Sequence, residues 1–114
     1  MKDYEKAFVE LIADCLSEKE QLQVELEQEC TILINLKSNL ENRRNRFLLS
    51  TDFKSKGLTN QGLQKAYVDE QCKNLNKNVE MQKIKIKTIE NRIKFLSEKI
   101  KTNIEVNKLI MGVE

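Results

Sequence analysis

Apolar residues recur along the first half of the chain at alternating steps of three and four: Phe8, Ile12, Cys15, Leu22, Leu26, Leu33, Leu36, Leu40 and Phe47. Three positions in the same phase are polar, namely Lys19, Glu29 and Arg43. Nine apolar matches in twelve places, sustained over more than five heptads, favour a coiled-coil seam over a generic amphipathic stripe. The residues between them are mostly Glu, Gln, Lys and Leu, which cost little in a helix. The pattern predicts one helix over about residues 3–48.

The second half repeats the phase with Val68, Cys72, Leu75, Val79, Ile86, Ile89, Ile93, Leu96, Ile100 and Ile110, interrupted by Gln82, Asn103 and Asn107. β-Branched residues are indifferent helix formers alone but pack well into coiled-coil holes. Lys83-Ile84-Lys85-Ile86-Lys87 alternates like a strand, yet its neighbours on both sides keep helical phase. A second helix is therefore expected over residues 60–111.

Residues 49–59 between them hold the chain's one cluster of Ser, Thr, Asp and Gly, the composition of a loop. Gly57 can supply a positive φ for a reversal, and Thr59 or Asn60 can cap the following helix. A turn centred near residue 54 would set Leu36 beside Cys72, Leu33 beside Leu75, Leu22 beside Ile86, Cys15 beside Ile93, Ile12 beside Leu96 and Phe8 beside Ile100. Apolar meets apolar nearly throughout. The expectation is a single all-α domain over residues 1–114: two long helices in an antiparallel coiled-coil hairpin. One such seam buries too little surface for comfortable stability alone, so assembly into a helical bundle is expected.

A second row points outward from helix two. Tyr67, Met81, Phe95 and Leu109 follow heptad spacing with Asn74, Thr88 and Thr102, and Ile84 lies beside them. This row sits roughly 160–200° from the seam. Val9, Leu11, Leu16, Cys30 and Ile32 form a weaker counterpart on helix one. Tyr67, Met81, Ile84, Phe95 and Leu109 are accordingly the residues expected to mediate homo-oligomerisation.

Charge adds a direction to this picture. Residues 1–36 carry a net −6, residues 37–65 a net +5 and residues 66–114 a net +3, giving the overall +2. Antiparallel pairing would lay an anionic helix along a cationic one, which sets orientation more than it adds stability. The chain has no His and no Pro and only three Gly. That excludes Cys/His zinc sites, histidine acid–base chemistry and the turn-rich all-β folds. No stretch approaches about 18 uninterrupted apolar residues, and no secretion-signal pattern opens the chain. A cytoplasmic protein without membrane contact is expected.

Candidate chemistry is sparse. Cys15 and Cys72 fall on seams and Cys30 flanks one, where a thiol is a small apolar filler. Glu18, Glu20, Glu25, Glu27 and Glu29 crowd helix one, but di-metal bundles pair such acids with histidine. No catalytic residue, metal site or cofactor is expected. Glu29 is expected near Lys77 and Lys83, which would satisfy it locally. The informative cluster is basic: Arg43, Arg44, Arg46, Lys54, Lys56 and Lys65 would gather at the turn, near Phe47, Phe53 and Tyr67. Three of the chain's four arginines lie within four residues here, and guanidinium is the better fork for phosphate or carboxylate. Such a tip would serve an acidic protein surface, or nucleic-acid phosphates with aromatics to stack bases, or simply keep the loop solvated.

Arg43, Arg46-Phe47, Thr51-Asp52-Phe53-Lys54, Gly57, Asn60 and Lys65-Ala66-Tyr67, followed by a long charged helix, resemble small helical proteins encoded by bacteriophages and prophages. The resemblance covers roughly residues 43–110 and carries no catalytic signature. It implies an accessory protein of a phage or mobile element, working with DNA-processing machinery or inhibiting a host system such as a defence nuclease. Eleven Asn and sixteen Lys against four Arg suit an AT-rich genome. The expectation is a non-enzymatic interaction module that binds a protein partner. The alternative is a nucleic-acid-binding accessory factor using the same tip.

Overall fold

The computed structural model describes residues 3–110 and Gly112. It is an all-α helical hairpin in which α1 (Asp3–Ser50) packs against α3 (Lys73–Ile110), with the short α2 (Gln61–Gln71) between them. The expected end of helix two at Met111 lies outside the described residues. The chain divides into two compact units, Glu29–Lys85 and Met1–Gln28 with Ile86–Glu114.

The unit Glu29–Lys85 contains the reversal, and its local chemistry explains why the chain turns there. α1 runs to Ser50, whose hydroxyl donates to the Arg46 carbonyl at 2.7 Å, while Thr51 N donates to the Phe47 carbonyl at 3.1 Å. Asp52 then takes over: its carboxylate accepts from Ser55 N at 3.2 Å and its carbonyl from Ser55 Oγ at 3.0 Å. Residues 53–57 form a hydrogen-bonded turn. It closes as a Schellman motif, with Leu58 N donating to Phe53 O at 2.9 Å and Gly57 N to Lys54 O at 3.1 Å. Gly57 takes the left-handed conformation this closure requires, with φ at 71°. Asn60 caps α2 by accepting from Leu63 N at 2.8 Å, and Gln64 Nε2 ties back to the Leu58 carbonyl at 3.1 Å.

Helix two is two helices rather than one. Cys72 leaves helical geometry for φ −101° and ψ 9°, the sparsely populated bridge region. Four-residue hydrogen bonding still crosses it, through Cys72 N to Val68 O at 3.0 Å and Asn76 N to Cys72 O at 2.9 Å. The apolar phase therefore survives the break. Val68, Cys72 and Val79 form the buried core of this unit.

In the other unit the buried residues are Cys15, Ile86, Ile89 and Leu96, the last only 1% exposed. Arg92 grips Glu18 with two nitrogens, Nε to Oε1 at 3.1 Å and Nη2 to Oε1 and Oε2 at 2.9 and 3.1 Å. Asn107 is less fortunate: its Oδ1 is buried and accepts no hydrogen bond among the described residues.

The register differs from the expected one. Glu29 meets Gln82 and Lys85, Arg44 meets Asp69, and Glu18 meets Arg92. Their numbers total 110 to 114, against the 108 that a turn centred near residue 54 implies. The reversal is centred later because α1 continues to Ser50 and α2 starts only at Gln61. The difference is about one helical turn, so the same stripes still face each other.

Candidate functional site

Six basic residues were expected to converge at the turn, all within the unit Glu29–Lys85, and the structure sorts them onto separate surfaces. One helical residue advances about 100° around the axis, so Arg43 and Arg46 share a flank of α1 and Arg44 does not. Arg43 and Arg46 line an open cleft of about 300 Å³ together with Asn39, Asn42 and Leu75. Asn39, Asn42, Arg43 and Arg46 are all exposed. Their spacing of i, i+3, i+4 and i+7 makes one continuous face of amide and guanidinium donors. Among the described residues no acid pairs with Arg43 or Arg46.

Arg44 has a different fate. It forms an ion pair with Asp69 of α2, both side chains partly covered. It also lines a second cleft, of about 350 Å³, with Leu48, Gln61, Gln64, Lys65 and Val68. Lys65 is exposed beside it. In the turn, Lys54 is exposed and lends its carbonyl to Gly57. Lys56 lies over the Tyr67 ring at 5.5 Å from the centroid, a cation–π contact.

Phe53 and Tyr67 are half-buried against each other, edge to face at 6.1 Å and 89°. Tyr67 is thus engaged inside its own unit, between Phe53 and Lys56, and does not stand with the outward row. Of the other residues expected in that row, Met81 and Ile84 are exposed in this unit and Phe95 and Leu109 in the other. On helix one Val9, Leu16 and Ile32 are exposed, whereas Leu11 and Cys30 are half-buried.

The polar cluster around Glu29 differs from the expected one. Glu29 is only 8% exposed. Gln82 Nε2 donates to its carboxylate at 2.6 Å and to its carbonyl at 2.9 Å, and Lys85 Nζ lies 3.0 Å from the other carboxylate oxygen. The hydrogen bond from Gln82, then that from Lys85, holds the carboxyl below its ordinary value, against the opposing effect of burial. Lys83, an expected partner, instead pairs with Glu80 at 3.0 Å. The signal for the true pairing was in the sequence, since Glu29 and Gln82 both interrupt seams.

Cys15, Cys30 and Cys72 are free thiols. Among the described residues no group of three or more Cys, Asp or Glu side chains is arranged to hold a metal ion, and no helix is long and apolar enough to cross a membrane. No family model, curated protein or solved structure matches the chain.

Proposed function

We propose that this protein is a non-enzymatic interaction module that docks on an acidic protein surface through the Arg43–Arg46 face of α1. The observation that carries the reading is the division of labour among the arginines. Arg44 is engaged by Asp69 and Arg92 by Glu18, while Arg43 and Arg46 flank an open cleft and pair with no acid among the described residues. Two adjacent guanidinium forks are suited to bidentate carboxylates. Leu75 in the same cleft adds an apolar contact for a partner segment that mixes acidic and apolar residues.

Phosphates offer similar chemistry, so nucleic acid is the second reading. Two observations favour protein. Phe53 and Tyr67 are occupied by each other, which removes the stacking platform that single strands use. Residues 1–36 carry a net −6, which repels a phosphate backbone. In its phage setting, the module would act in the host cytosol as an accessory factor that modulates a host or phage complex. Against a defence nuclease, a cationic face would cover an acidic surface of the enzyme rather than imitate its substrate. The exposed apolar residues of α3 support self-association as part of the same reading.

Fluorescence anisotropy with a labelled Glu/Leu helical peptide, a single-stranded oligonucleotide and a duplex tests the proposal. Peptide binding that falls at least about tenfold in Arg43→Ala/Arg46→Ala, equivalent to about 1.4 kcal/mol, and survives in Arg44→Ala, supports it. Tighter binding to DNA, with a steep loss on adding salt, would transfer the site to the second reading.

A further inference from the structure

We infer that a second copy of this chain docks on the α3 face centred on Phe95, antiparallel and about a two-fold axis close to that residue. The inference rests on the self-association reading and gives it a surface and an orientation. It uses residues of a single unit, Ile86 onward.

Phe95 is 51% exposed, a large apolar ring left standing on a charged helix. Beside it lies a cleft of about 280 Å³ lined by Phe95, Glu98, Lys99, Thr102 and Asn103. The first four are i, i+3, i+4 and i+7, the set of four residues that forms a hole for a knob from a facing helix. The face therefore carries both halves of a packing unit, a protruding aromatic and an adjoining hole. In a two-fold pair the two Phe95 rings meet at the axis, each beside the other copy's cleft, so one patch satisfies itself.

Charge complementarity selects the antiparallel arrangement. Arg92 lies three residues before Phe95 and Glu98 three residues after it. About a two-fold at Phe95, Arg92 of each copy comes opposite Glu98 of the other. A parallel pair would set Arg92 against Arg92 and Glu98 against Glu98. Arg92 has capacity for a second acid: it meets Glu18 through Nε and Nη2, and among the described residues its Nη1 makes no hydrogen bond. Its guanidinium also lies over the Phe95 ring at 5.2 Å, which fixes the ring and leaves its other side for the partner. Thr88 and Thr102, seven residues to either side, come opposite each other, a small polar pair that a close helix approach accepts.

The test combines mass and cross-linking on the full chain. Sedimentation is run on the wild type and Phe95→Glu at concentrations on the order of 100 µM, a hundredfold above a micromolar Kd. Equimolar Thr88→Cys and Thr102→Cys chains are then mixed and oxidised, and the disulfides mapped by mass spectrometry. The expected result is an associated wild type, a monomeric Phe95→Glu chain of unchanged helicity by circular dichroism, and a dominant 88–102 cross-link. An associated protein that gives 88–88 and 102–102 cross-links, or whose assembly survives Phe95→Glu, overturns this inference while leaving self-association in place. A monomeric wild type overturns both.

Discussion

Each unit places a polar side chain on an apolar seam, and the consequences are opposite. In Glu29–Lys85, the carboxylate of Glu29 is buried but accepts from Gln82 and Lys85. In the other unit, the Oδ1 of Asn107 is buried and accepts from nothing among the described residues. The buried apolar residues differ in kind too. The first unit packs the small Val68, Cys72 and Val79, the second Ile86, Ile89 and Leu96 with Cys15. A satisfied polar group on a seam costs little and fixes which residues face each other; an orphaned one costs the desolvation of its acceptor. The unit that carries the turn, Arg43 and Arg46 is therefore specified by polar pairs, and the other by apolar bulk.

Mutations can break that contrast. The largest effect is expected of Leu96→Ala, which empties a site only 1% exposed and should destabilise by about 2–5 kcal/mol, measured by urea denaturation. A loss well under 1 kcal/mol would mean that apolar bulk does not hold this unit. Asn107→Leu should move the other way, raising stability by about 1 kcal/mol as the orphaned acceptor is removed; a lowered thermal midpoint would show that the amide has a partner after all. Asn60→Ala, which removes the side-chain cap on Leu63 N, should cost about 1 kcal/mol. Amide exchange of Leu63 and Gln64 should quicken with it, and unchanged exchange there would refute the capping role.

The smallest change is expected of Glu29→Gln, which keeps the shape and one acceptor. Its signature is pH dependence. The folded-state carboxyl titrates below the ordinary value near 4.5. Its contribution is therefore fully present above that value and lost as pH falls through the lower, folded one. Acid titration should show the wild type losing stability over this range more steeply than Glu29→Gln; parallel curves would contradict the pairing with Gln82 and Lys85.

The fold was largely legible in the sequence because it is written in one periodicity. The seam residues from Phe8 to Phe47 and from Val68 to Ile100 are buried or half-buried wherever they are apolar. Gly57 and Asn60 also act as their residue types require. The register was less legible, since a shift of one helical turn preserves an apolar stripe and only the particular pairs at Glu29, Arg44 and Glu18 distinguish the alternatives. The departure at Cys72 carried no signal, for nothing in its neighbours disfavours a helix. Composition gathered the arginines into one cluster, whereas the rotation of α1 divides them. Counting 100° per residue from Arg43 separates Arg44 from Arg46; what that counting cannot supply is Asp69, which decides that Arg44 is the one engaged.

That division yields the most direct test. The chain has four arginines, so its Nε–Hε groups give four signals in a nitrogen–proton correlation spectrum, each assignable by single Arg→Lys variants. Titrated with the Glu/Leu helical peptide, Arg43 and Arg46 should shift together and saturate, while Arg44 on Asp69 and Arg92 on Glu18 hold their positions. If Arg44 and Arg92 move as far as the other pair, or if all four stay still while the peptide binds, the docking face is not the one described.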